Sequence, residues 1–229
     1  MELSFEEFTL AASTADLDEE PAAREHADCV EFRMDLADEP LAALDTYDGQ
    51  LPILATNRSI EEGGAASGPN RLESLAEVCA FDAVAAVDVE LASVVADDAE
   101  EVQSAAADCD VSVVVSAHDF EATPSQSEIK TILRRAGRAG DVAKFASTAA
   151  DLDDALSLLG ATRTLTTGGA KVATMAMGAA GSHTRAVAPV YGSKIGYAPV
   201  DPDRATAPGQ YDLRTLRNLV DTLSTSGAE

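Results

Sequence analysis

Positive charge is what this chain lacks most. Its 229 residues hold 16 lysines and arginines against 40 aspartates and glutamates, a formal net charge of −24. Four of the basic residues are lysines, and no stretch gathers the cations into a cluster. Such a surface repels nucleic acid and anionic membranes, so neither is expected as a partner. It suits a salt-loving cytoplasm, where a Debye length of about 3 Å at ~1 M salt screens the self-repulsion. Loss of the fold in dilute buffer is the expected consequence, and full stability there would count against it.

Other absences narrow the class further. The opening Met1-Glu-Leu-Ser-Phe-Glu-Glu7 has neither a basic nor an apolar signal-peptide region. No apolar run approaches the length of a membrane span. Cys29, Cys79 and Cys109 are scattered, odd in number and free of Cys-x-x-Cys spacing. They read as small buried residues in a reducing compartment, so a cytoplasmic location is expected. No G-x-G-x-x-G follows the first strand, which argues against a dinucleotide-binding sheet. Linkers and sequence repeats are missing too, so residues 1–229 are expected to form one domain.

What is present is periodic. Hydrophobic residues make up 46% of the chain, which excludes a disordered acidic tail. Strands are expected at Phe8–Ser13, Cys29–Met34, Leu51–Thr56, Ala83–Glu90, Asp110–Phe120, Asp141–Ser147, Val172–Met177 and Val190–Ile195. Helices are expected between them, around 19–27, 40–44, 70–79, 97–107, 123–137, 148–159 and 182–187, with a last one over Tyr211–Leu223. Eight strands alternating with helices give an α/β fold, a (β/α)₈ TIM barrel, with an open doubly wound sheet as the alternative.

The fifth and sixth strands carry the chemistry. His118 ends the first of them and Lys144 sits in the apolar middle of the second. Between them Thr123-Pro-Ser-Gln126 reads as a capping box, and Ile129, Ile132, Leu133 and Ala136 recur on one helical face. This is a βαβ unit, so the two strands run parallel and deliver both residues to one sheet edge. Desolvation disfavours an ammonium and can make the amine a nucleophile, and a nearby imidazole titrates where protons must move. Barrel sites gather at the C-terminal ends of strands. The polar groups at those ends are Glu31, Arg33, Arg58, Glu62, Asp88, Glu90, His118, Lys144, Thr174, Arg185 and the loop from Thr206 to Gln210. One lysine, one histidine and several arginines at a common mouth suit an anionic, hydroxylated carbonyl compound.

Six segments then resemble a known family. Glu31-Phe-Arg-Met-Asp35, Thr56-Asn-Arg-Ser59 with Glu62-Gly-Gly64, Ser116-Ala-His-Asp-Phe120, Val142-Ala-Lys-Phe145, Thr174-Met-Ala-Met-Gly178 and Ala207-Pro-Gly-Gln210 follow the order of type I 3-dehydroquinate dehydratases. The resemblance implies a shikimate-pathway lyase on a (β/α)₈ barrel, usually a homodimer, with no metal and no organic cofactor. It implies that Lys144 forms an imine with the ketone of 3-dehydroquinate, that His118 is general base and acid, and that Glu62 orients His118. Glu31 and Arg33 would hold ring hydroxyls with Arg58 beside them, and Arg185 would clamp the carboxylate. Thr206 and Gln210 would lie on a closing loop, with Ser13 a further contact from the first strand. Two positions depart from the family pattern: Thr206 replaces a serine and Tyr197 a phenylalanine.

Plainer readings stand beside these. Glu31 and Arg33 can equally be an ion pair inside the barrel. Asp88 and Glu90 read as members of a buried network rather than catalysts. Lys194, in the expected eighth strand, is the rival imine lysine. A class I aldolase would also use a barrel lysine, and a non-catalytic hydroxy-acid binder would use the same mouth without the imine.

Overall fold

The structure is a computed structural model and describes residues 2–68, 70–201 and 209–225. The chain alternates β1 (Thr9–Thr14), α1 (Glu20–Ala23), β2 (Cys29–Arg33), α2 (Pro40–Asp45), β3 (Ile53–Thr56), α3 (Asn70–Glu77) and β4 (Val84–Glu90). It continues through α4 (Leu91–Val95), α5 (Glu100–Asp108), β5 (Ser112–Asp119), α6 (Gln126–Ala136), β6 (Val142–Thr148), α7 (Leu152–Thr167) and β7 (Val172–Met177). Two short helices, α8 (Gly178–Gly181) and α9 (Thr184–Val187), precede β8 (Ile195–Pro199), and α10 (Leu213–Thr225) follows it. The strands pair in parallel in sequence order, and β8 pairs with β1. The β7–β8 seam is drawn together where Lys194 N–H donates to Val172 O at 2.7 Å and Thr174 N–H to Ser193 Oγ at 3.0 Å. This is the expected eight-stranded barrel, nearly closed.

Helix starts follow the capping rules. At α6 the capping residue is Ser125, whose hydroxyl and the Glu128 carboxylate exchange bonds with each other's backbone N–H groups. The expected cap at Thr123 is displaced by two residues, because the Thr123 hydroxyl instead donates to Thr148 O at 2.9 Å and ties the loop to the end of β6. Asp151 caps α7 by accepting from the N–H groups of Asp153 and Asp154.

The eighth strand lies four residues or more beyond its expected place. Ala188–Tyr191 forms a 3-10 turn, Gly192 takes a left-handed φ of 100°, and the strand begins at Ile195. Pro189 at the start of the turn and the left-handed glycine override the β-branched character of Val190. Lys194 therefore precedes the strand. Its ammonium donates to Glu6 O, while Lys171 Nζ donates to Ser4 O at 2.8 Å, so both lysines pin the N-terminal segment across the lower end of the barrel. Leu3 and Phe5 of that segment are buried among Ala11, Cys29, Leu54, Val114 and Val142.

Candidate active site

Strand alternation turns the barrel interior from apolar to polar within one step. In β6, Val142 belongs to the lower apolar layer and Lys144, two residues on, shares its face. In β4 and β2 the same step leads from Ala86 to Asp88 and from Cys29 to Glu31. Register pairs Lys144 with Ser116 and His118 with Ala146. The lysine and the histidine thus sit on neighbouring strands two residues apart, about 8 Å between Cα atoms from strand spacing and rise. That gap accommodates the reacting carbons of a small molecule. The cleft above them is lined by Glu31, Arg33, Arg58, Glu62, His118, Lys144, Arg185 and Gln210, together with Phe120, Met175, Met177 and Tyr197. An apolar wall with a few convergent polar groups is the usual make-up of a small-ligand site.

Lys144 is buried but not unpaired. Its Nζ lies 2.9 Å from Asp88 Oδ2, 3.9 Å from Glu31 Oε1 and 4.1 Å from the centre of the Tyr197 ring. The other Asp88 oxygen accepts from Arg58 at 2.8 Å and from the Ser116 hydroxyl at 2.6 Å. Burial favours the neutral Asp88 acid, but Arg58 and Lys144 outweigh it and hold the carboxyl well below the usual range. Burial likewise opposes the Arg58 cation, and Asp88, Glu90 and Glu62 together hold it above its ordinary value. Glu90 anchors the outer side of this network, 2.5 Å from Arg71 and accepting from Ser59 N–H at 2.9 Å.

His118 is oriented from the opposite side. Its Nδ1 lies 2.8 Å from Glu62 Oε2, and its ring stacks on Phe120 with centroids 6.0 Å apart. Glu62 ends a tight turn that only glycine permits. Gly63 takes φ of 78°, and a Cβ on Gly64 would fall 2.1 Å from Arg58 O. Burial, with Arg58 and Lys144 nearby, holds His118 well below its ordinary value and so keeps it neutral. Burial pushes the Glu62 carboxyl up to about 7 against the pull of Arg58.

Arg185, on α9, is the cation left over. It is 4% exposed, lines the cleft, and its Nε is buried without a hydrogen-bond partner among the described residues. Burial draws its guanidinium down to about 10. A buried, unsatisfied donor of this kind is costly unless an acceptor arrives. Arg33 differs, since it forks onto Asp35 at 2.8 and 2.7 Å.

The structure gathers Glu31, Arg33, Arg58, Glu62, His118, Lys144, Arg185 and Gln210 at one mouth. Ser13 stands behind them, donating to Glu31 Oε2. Thr206 lies outside the described residues. Thr174 faces the other way, bonded to Thr162 of α7 at 2.6 Å, because its position in β7 alternates with those of Ala173 and Met175, which point inward. The alternative of a Glu31–Arg33 ion pair gives way to separate partners, Ser13 and Thr56 for Glu31 and Asp35 for Arg33. The sequence reading left out Met175, Met177 and Phe120, although period-two counting along β7, and from His118 along β5, reaches all three. Among the described residues no trio of His, Cys, Asp or Glu is arranged to hold a metal ion, and no helix is long and apolar enough to cross a membrane.

Comparison with known proteins identifies the constellation. Residues 9–226 match the family model for Type I 3-dehydroquinase. The chain belongs to the type I 3-dehydroquinase family. Curated relatives named 3-dehydroquinate dehydratase include those of Haloarcula marismortui, 60% identical over 96% of this chain and 98% of theirs, and Halobacterium salinarum, 53% identical over 95% and 98%. Both are halophilic archaea, as the acidic composition leads one to expect. Among solved structures, the 3-dehydroquinate dehydratase of Geobacillus kaustophilus superposes with a TM-score of 0.84 at 30% identity, covering 96% of this chain and 92% of that one. The Clostridium difficile type I 3-dehydroquinate dehydratase, solved with covalent modified comenic acid, gives 0.85 at 26% identity, covering 96% and 93%. With membership in the 3-dehydroquinases comes the coarse activity, dehydration of 3-dehydroquinate as a lyase of the shikimate pathway.

Proposed function

We propose that the barrel eliminates water from 3-dehydroquinate through an imine on Lys144, with His118 as the proton carrier. The observation that carries the reading is the pairing of a buried lysine with a neutral histidine across one strand gap, beneath a buried arginine with an unsatisfied donor. Arg185 offers the planar fork that a carboxylate fills. With the carboxylate there, the ring hydroxyls fall toward Glu31, Arg33 and Gln210, and the ketone toward Lys144. Arg58 acts by fixing the carboxylates around it, Thr206 is taken as a further substrate contact, and Ser13 supports Glu31 from behind.

The chemistry follows from the imine. Once the ketone becomes a protonated imine, its nitrogen withdraws electrons and acidifies the adjacent carbon. Neutral His118 takes that proton, Glu62 holds Nδ1 so that Nε2 faces the substrate, and the resulting imidazolium returns the proton to the departing hydroxyl. Water hydrolyses the product imine and frees the lysine. The chain is proposed to do this as one domain and as a cytoplasmic homodimer, without metal or organic cofactor; light scattering at high salt tests the dimer.

Borohydride reduction in the presence of 3-dehydroquinate at high salt, followed by peptide mass mapping, tests the mechanism. The expected result is an adduct on Lys144 that Lys144→Ala abolishes. Binding of the substrate with no adduct and no turnover would overturn the imine and leave a binding barrel. Lys194 is not expected to react, since its amine faces the other end of the barrel.

A further inference from the structure

Asp88 is buried between Lys144 and Arg58, yet none of the roles above requires it. We infer that Asp88 is the positioning counter-ion of the imine on Lys144, its Oδ2 reserved for the nitrogen throughout the reaction by the two bonds that lock its Oδ1. The inference rests on the lysine-imine reading and extends it to a residue that touches the nitrogen rather than the substrate ring.

Three observations carry it. Asp88 Oδ2 lies 2.9 Å from Nζ and is the nearest carboxylate oxygen to it, with Glu31 Oε1 a full ångström farther. Oδ1 is occupied by Arg58 and by the Ser116 hydroxyl, so the carboxylate cannot rotate without breaking both bonds. The Tyr197 ring presents its face to Nζ at 4.1 Å, an arrangement that favours a cation. Two walls of the nitrogen's surroundings are therefore set for positive charge.

The reaction keeps that charge in place. An ammonium and a ketone become an iminium and one water: the N–C bond forms, the C–O bond breaks, and two nitrogen protons leave with the oxygen. Charge at nitrogen is +1 at both ends, and one N–H remains. That N–H has a single fixed acceptor in Asp88 Oδ2, which sets how the C=N plane stands relative to His118 and hence which proton of the adjacent carbon the imidazole meets.

Asp88→Asn separates these effects. It removes the charge while keeping the shape. Trapping at Lys144 by borohydride should persist and extend to lower pH by about one pH unit, corresponding to loss of one close opposite charge. Turnover should fall at least tenfold with KM little changed, and Asp88→Glu should restore the pH profile in part. An unchanged pH profile and kcat in Asp88→Asn overturns the counter-ion role while leaving the imine intact. No adduct in the unaltered protein removes the imine reading itself, so the two failures are distinct. Should Asp88→Asn not fold, unaltered protein with ¹⁵N-labelled lysine, saturated with product and left unreduced so that the imine itself is observed, gives the answer by NMR. The imine nitrogen should keep its proton to about pH 9, and its loss between about pH 6 and 8 would sink the proposal.

Discussion

The two halves of the barrel interior are built from the same strands and the same alternation, yet they are stabilised by opposite means. The lower half is closed by Ala11, Cys29, Leu54, Ala86, Val114, Val142, Ala173 and Ile195 over the Leu3–Phe5 plug. It is held by removal of apolar surface from water. The upper half, one alternation step higher, holds Glu31, Asp88, Arg58 and Lys144 in mutual contact. It persists because each buried charge has an opposite neighbour, and removing one partner costs more than the pair contributes. Small apolar residues fix the position of the lower layer, so that the costly polar layer above can be aimed.

Substitutions that break this division should differ in kind, beginning with the largest effect. Lys144→Ala should lower turnover by on the order of 10⁴-fold or more, since it removes the nucleophile. The fold should persist at a lowered melting temperature, because Asp88 loses one buried partner but keeps Arg58 and Ser116; a collapse of the fold would show the lysine to be structural instead. Leu54→Ala, one step below, should reverse the pattern. It should cost about 2–5 kcal/mol in denaturant unfolding while sparing kcat well below the melting point.

Glu62→Gln sharpens the comparison through pH. In the unaltered protein kcat/KM should rise with pH through about 7 as Glu62 ionises and fixes His118, and the glutamine variant should lose that limb. Stability runs the other way. The contribution of protonated Glu62 is complete below the ordinary value of 4.5 and is lost as pH rises through about 7. The smallest effect belongs to Tyr197→Phe. The Tyr197 hydroxyl is buried with no partner among the described residues, so its removal should raise stability by about 1 kcal/mol and leave kcat within roughly threefold. A loss beyond tenfold would mean that the hydroxyl, and not the ring alone, serves the reaction.

The barrel was legible because its strands are β-branched runs at regular spacing, and β7 was expected at the residues it occupies, Val172–Met177. The eighth strand was not, since Gly196 and Pro199 lower its strand character while Val190 raises that of the preceding turn. Most of the candidate site could be read from polar residues at strand ends, because each of them interrupts an apolar pattern. Its internal wiring could not. That Lys144 meets Asp88, 56 residues earlier in the chain, depends on how the barrel curves across its own axis, and no local pattern encodes it.

The fate of the four lysines has a practical side. Lys144 is sealed in the cleft, and Lys171 and Lys194 are tied to backbone oxygens beneath the barrel. Lys130, on the flank of α6, is the one lysine with no such engagement among the described residues. Among the lysine side chains, amine-directed dyes or surface-coupling reagents, used gently, should therefore favour that flank and leave the mouth open to substrate.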